Sequence, residues 1–154
     1  MRLEVLEHTD DCVIASWDRI LLVRWRDNVT VHGIRRIRAQ VAALHAAHPE
    51  VMLFSLVPPR SSGPPDAEAQ RAIHDLTQGP SQGLTGVAIV FEGSGFIAAT
   101  VMALTLKLGG GGTAGTPTRV FRTPEEAVRW AEERLGPPGL AADRLKAALA
   151  LAVA

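Results

Sequence analysis

The sequence predicts an α/β domain with a mixed, mostly parallel sheet of about five strands and helices packed against it. Two short runs, "VMLFSLV" at 51–57 and "GVAIVFEG" at 86–93, are almost continuously apolar. Such runs are typical of central strands that are covered on both faces. Segments with a helical apolar period alternate with these runs, and this alternation is the pattern of a mainly parallel sheet.

A hairpin is predicted to open the sheet, in "CVIASWDRILLVRWRD" at 12–27. Apolar residues alternate up to Trp17, a second apolar run covers 20–25, and Asp18-Arg19 form the turn between them. The hairpin is expected at an edge of the sheet. Trp17 and Trp25 could serve an interface there if exposed, but aromatic residues in strands are more often part of the core.

The predicted helices have clear starts. Thr30 is placed to cap a first helix that Pro49 ends, and Asp66 to cap a second one. Thr123-Pro124-Glu125-Glu126 is a capping box with proline at the first helical position, and "RVFRT" before it is the last predicted strand. The first helix carries one apolar stripe at a spacing of three and four residues: Val31, Ile34, Ile37, Val41 and Leu44.

The chain of 154 residues is predicted to form one domain at 11–136, with an N-terminal segment at 1–10 and an apolar helical tail at 137–154. Sixteen basic residues balance sixteen acidic ones, so nothing in the charge predicts nucleic acid as a partner. Cys12 is the single cysteine, and the charged N-terminus lacks a signal-peptide pattern. We therefore expect a cytoplasmic protein without a bound metal or cofactor.

The segment "VFEGSGFIAATVMALTLKL" at 90–108 has two interpretations. Charged residues and the glycines interrupt its apolar run, so we expect no transmembrane span. Glycine in a strand-to-helix connection can expose backbone N–H groups to an anion, and Gly93, Ser94, Gly95 and Arg119 are the candidate residues for such a ligand site. The glycines can instead serve a tight turn. We favour the turn, because the next strand lacks the acidic residue of a dinucleotide fingerprint.

The predicted helix at 96–108 is apolar nearly all round, so more than one of its sides must be covered. A second subunit is the favoured cover, and another protein, an apolar ligand or the C-terminal tail are the alternatives. The candidate interface residues are Phe96, Ile97, Val101, Met102, Leu104 and Leu108.

Other polar groups give weaker signals. His45 and His48 could share a metal, but without a third ligand they better suit a helix C-terminus. Arg35, Arg36 and Arg38 form either a solvated helix face or a partner or phosphate site. We see no catalytic constellation and expect no enzymatic activity.

The order of elements over 11–135 resembles that of STAS-like domains, the fold of sulfate-transporter and anti-sigma-factor-antagonist domains. In particular, "TRVFRTPEEAVRWAEERL" at 118–135 resembles the final strand and helix of the stand-alone bacterial subgroup. The resemblance implies a non-enzymatic interaction module. In the antagonists a kinase phosphorylates a serine in an Asp-Ser pair after a central strand. Ser61 and Ser62 lie at the corresponding place as possible phosphorylation sites, although "LVPPRSSGPPDAE" lacks that pair.

Two functions follow from these observations. The favoured one is a regulatory or scaffold domain that acts through protein contacts and forms a homodimer through the helix at 96–108. The alternative is a domain that binds a lipid-like or phosphorylated small molecule at Gly93–Gly95 and the same helix.

Overall fold

The computed structural model describes residues 3–58, 65–78, 84–91 and 116–135. Within these ranges the chain forms an α/β fold, as predicted from the sequence. The six strands are β1 (Leu3–His8), β2 (Cys12–Trp17), β3 (Ile20–Trp25), β4 (Val51–Val57), β5 (Leu84–Phe91) and β6 (Thr118–Phe121). The helices are α1 (Val31–Ala47), α2 (Ala67–Gln78) and α3 (Pro124–Leu135).

The strands lie side by side in the order of the chain, from β1 to β6. Strands β1, β2 and β3 pair antiparallel, and β3, β4, β5 and β6 pair parallel. The sheet is therefore mixed and mostly parallel, and in the described part of the chain it has six strands where the sequence predicted about five.

The additional strand is β1, which lies in the segment that was predicted to precede the domain. It pairs with β2, so the hairpin of β2 and β3 does not form the edge of the sheet. A bulge interrupts the pairing between Val5 and Glu7, and the Val5 side chain is 55% exposed. Bulges and charged residues are common on edge strands, because they discourage pairing with another chain.

The hairpin turn lies at Asp18-Arg19, as predicted, with Trp17 paired to Ile20 on either side. Asp18 has a φ of 52°, in the left-handed region that aspartate tolerates better than most residues. Trp17 and Trp25 are both buried, so the interpretation of these residues as core is confirmed.

Each face of the sheet carries its own core. On the face that α1 and α2 cover, here called the α1 face, buried side chains of β2, β3, β4 and β5 pack with Ile34, Ile37 and Val41 of α1 and Leu76 of α2. The opposite face, here called the α3 face, packs with Ala127, Val128, Trp130 and Ala131. Two covered faces explain why the strands are apolar without alternation.

The three predicted helix caps are present. The Gly33 N–H donates to Thr30 Oγ1 at 3.1 Å, and the Ala69 N–H donates to Asp66 Oδ1 at 2.8 Å. The Glu126 N–H donates to the hydroxyl of Thr123 at 3.4 Å. These bonds satisfy backbone donors that the first turn of a helix leaves without a partner, and they fix where each helix begins.

Several sequence-based candidates lie outside the described residues: Ser61, Ser62, Gly93, Ser94, Gly95, the predicted helix at 96–108 and the tail at 137–154.

Candidate functional site

The carboxyl edge of the parallel strands is where two candidate segments leave the sheet. β4 ends at Val57 and β5 at Phe91, and these two residues are paired in register. The segment with Ser61 and Ser62 follows β4, and the segment with Gly93 follows β5. In open α/β sheets, ligands bind beyond this edge. Because Val57 and Phe91 are paired, the two candidate segments begin from neighbouring strand ends.

Arg119 does not lie at this edge. It is paired with Ala88 in the register of β5 and β6, three residues before Phe91. Its guanidinium carbon lies 5.5 Å from the centre of the Phe121 ring and 6.0 Å from the centre of the Trp130 ring. Arg119 is thus engaged with aromatic rings on the α3 face, where α3 packs against β5 and β6.

A second arginine stacks on the same indole. The guanidinium carbon of Arg134 lies 4.9 Å from the centre of the Trp130 ring. Phe121 and Trp130 pack with their ring centres 5.6 Å apart and their planes inclined by 46°. We call Arg119, Phe121, Trp130 and Arg134 the arginine–aromatic cluster. Arg134 was not among the residues predicted from the sequence, although its spacing of four residues from Trp130 places the two side chains on one face of a helix.

Gly86 of β5 has no side chain, and this leaves room for the cluster close to the sheet. A Cβ added to Gly86 would lie 3.0 Å from Trp130 Cη2 and 3.1 Å from Met52 Cε. The same Cβ would be 3.5 Å from Arg134 Cδ. A larger residue at position 86 would therefore press on the indole and on the stem of the second arginine.

A solvent-open groove of about 360 Å³ lies between α1 and α2, here called the α1–α2 groove. Its apolar part consists of Val31, Ile34 and Ala72. Five charged side chains line the rest: Arg35, Arg38, Glu68, Arg71 and Asp75.

Charges in this groove are incompletely paired among the described residues. Arg35 lies 3.6 Å from the Glu68 carboxylate, with both side chains well exposed. Such an exposed pair contributes little to stability. Arg38 and Arg71 form no ion pair with any residue that the structure describes. The groove therefore offers two guanidinium groups beside an apolar surface.

The three arginines of α1 do not form one site. Arg35 and Arg38 line the α1–α2 groove, whereas Arg36 contacts the Glu7 carboxylate of β1 at 3.2 Å. The sequence could not separate them, because the arrangement of α2 and β1 around α1 is a tertiary feature.

His45 lies in the last turn of α1, and its Nδ1 is 3.2 Å from the carbonyl oxygen of His48. A ring N–H at this position donates to that carbonyl. Among residues 3–58, 65–78, 84–91 and 116–135, no group of three or more potential ligands could hold a metal ion.

Cys12 is fully buried in β2, where its sulfur lies 3.9 Å from the Thr9 hydroxyl. Burial disfavours the thiolate and is the main reason why the pKa of Cys12 is raised above its ordinary value, with a smaller opposing effect of the Thr9 contact. A buried, protonated thiol is a poor nucleophile. Cys12 is therefore a core residue.

Comparison of the chain with protein-family models, with curated proteins and with solved structures gave no match. In the described part of the chain, no helix combines the length and apolarity that crossing a membrane requires.

Proposed function

We propose that this chain is a non-catalytic regulatory or scaffold domain that acts through contacts with other proteins. The observation that carries the proposal is the α1–α2 groove, in which an apolar strip is bordered by charged side chains. Protein interfaces commonly have this anatomy, with an apolar centre and a polar rim. Arginine is also enriched in such interfaces.

The charges of the groove indicate the kind of protein segment that would bind there. Arg38 and Arg71 lack ion pairs among the described residues, and Arg35 is only weakly held by Glu68. A protein segment with an apolar side chain flanked by carboxylates would place that side chain on Val31 and Ala72 and its charges on Arg38 and Arg71. Charge complementarity of this kind favours association and orients the partner.

Self-association is the second part of the proposal. The sequence at 96–108 is apolar nearly all round, and an all-apolar helix has to be covered on several sides. A homodimer would cover it by contact between identical segments, since the interface of a two-fold dimer is self-complementary.

The order of strands and helices supports the STAS-like interpretation of residues 11–136. In the described residues an antiparallel hairpin, a βαβαβ unit with parallel strands and a terminal strand and helix follow each other, and we base the interpretation on this order. In this proposal the segment with Ser61 and Ser62, which follows β4, is the place where phosphorylation would act on partner binding.

Selection from a random peptide library displayed on phage tests the groove. We expect the protein to enrich peptides in which acidic residues flank an apolar residue. The double variant Arg38→Glu/Arg71→Glu should lose this enrichment, because it reverses the two groove charges that form no ion pair with a described residue. The control Arg122→Glu/Arg129→Glu makes the same change of net charge on exposed residues outside the groove and should keep it. Enrichment that is absent, or equal in both variants, would disprove binding in the groove.

A further inference from the structure

We propose that Arg119 and Arg134 form a binding site for the phosphate group of a small phosphorylated molecule. This inference does not depend on the proposed protein contacts, because the arginine–aromatic cluster is on the α3 face and the α1–α2 groove is on the opposite one. It also differs from the anion site predicted at Gly93–Gly95. Arg119 does not lie at the carboxyl edge of the strands, and its guanidinium group contacts Phe121 and Trp130 on the α3 face instead.

The two guanidinium groups share one rigid support. They lie 6.0 Å and 4.9 Å from the centre of the Trp130 ring, and the indole is only 5% exposed. Contact with an aromatic ring restricts a guanidinium group without using its N–H donors. Both groups are therefore restrained on the same side chain before a ligand arrives, which lowers the entropy cost of binding.

Neither guanidinium group is neutralised within the described part of the chain. Arg119 and Arg134 are both exposed, and neither forms an ion pair with a described carboxylate. A bound anion in contact with both groups would supply the counter-charge that the described carboxylates do not supply.

Phosphate matches this pair better than a carboxylate does. A phosphate monoester carries about −1.5 to −2 charges near pH 7 and three strongly accepting oxygens. Two guanidinium groups can share these oxygens, each through a pair of parallel hydrogen bonds. A carboxylate has one charge and two oxygens, and a single arginine already satisfies it.

Protection of the sheet edge is the competing explanation for Arg119. β6 is the last strand in the sheet order, and a charged residue on such a strand discourages pairing with another chain. This explanation does not extend to Arg134, because that residue lies on α3 and reaches the same indole. The convergence of both side chains on Trp130 is what indicates a ligand.

Titration with inorganic phosphate tests the site. The indole N–H of Trp130 would be followed in ¹H–¹⁵N spectra, with ionic strength held constant by chloride. We expect a saturable shift of this signal with a dissociation constant of about 1 mM or lower. Arg119→Gln and Arg134→Gln should each weaken binding about tenfold or more, as expected for loss of hydrogen bonds to a charged group. Arg129→Gln, on the same helix but outside the cluster, should change it less than about twofold.

Arg134→Lys keeps the charge but removes the paired N–H groups, so we expect it also to weaken binding. This milder variant separates phosphate recognition from a general effect of net charge, and the circular dichroism of each variant would establish that it is folded. A shift that rises linearly without saturation, or that Arg129→Gln weakens as much as Arg134→Gln does, would overturn the proposal. A saturable shift that both Arg119→Gln and Arg134→Gln leave unchanged would also overturn it.

Discussion

At the scale of single residues, close packing determines which side chains the structure accepts. Gly33 is buried in α1 against the indole of Trp25, and Trp25 Nε1 donates to Ser55 Oγ at 2.9 Å. A Cβ at position 33 would overlap Trp25 Cζ3, far inside van der Waals contact. The absence of a side chain at Gly33 lets α1 approach the sheet.

Gly33→Ala is therefore expected to destabilise the protein by about 1–2 kcal/mol, because overpacking of the core outweighs the higher helix propensity of alanine. The free energy of unfolding in urea would measure this change. Ala43→Gly, at an exposed position of the same helix, gives the propensity difference alone. Stabilisation by Gly33→Ala, of the size that Ala43→Gly loses, would contradict the close contact with Trp25.

The sequence predicted few of these single-residue contacts. It predicted the caps at Thr30, Asp66 and Thr123, since capping depends on residues within one turn of each other. It did not predict the contact of Gly33 with Trp25 or of Arg119 with Trp130. These contacts depend on how a helix lies on the sheet, and no local pattern in the sequence encodes that placement.

At the scale of elements, β1 shows how a strand with a weak sequence pattern is held. Its residues include three acidic or basic side chains, and the bulge between Val5 and Glu7 breaks the alternation. Contacts with α1 fix it from the side: Glu7 Oε1 lies 3.2 Å from Arg36 Nη1, and Gln40 Nε2 donates to Glu7 Oε2 at 3.1 Å. A strand that depends on such contacts is hard to predict, whereas the apolar runs of β4 and β5 predict strands by themselves.

Glu7→Ala is expected to lower the free energy of unfolding by about 1 kcal/mol, since it removes two polar contacts around a mostly buried carboxylate. Hydrogen exchange of the β1 amides should also become faster, because the strand loses its attachment to α1. Glu4→Ala is the matched control, as Glu4 is an exposed residue of the same strand. If both variants changed stability and exchange equally, the contact between β1 and α1 would not hold the strand.

At the scale of the whole molecule, the fold separates two surfaces on opposite faces of one sheet. The α1 and α2 helices connect adjacent parallel strands on one face and create the α1–α2 groove, while α3 returns over the other face and creates the arginine–aromatic cluster. The α/β class was predictable because it follows from the alternation of apolar patterns. The two surfaces were not, because each brings together side chains from elements that are distant in the sequence.

The proposal of an interaction domain that self-associates is tested most directly by a native mass spectrum of the purified protein. We predict a homodimer, at twice the mass of one chain, with no added ligand. Met102→Glu should convert it to a monomer, because a charge in the apolar segment at 96–108 would be buried at the dimer interface. Arg122→Glu, at an exposed position, should leave the dimer intact. A wild-type monomer would contradict self-association, and a monomer that carries a few hundred daltons of extra mass would favour the small-molecule alternative instead.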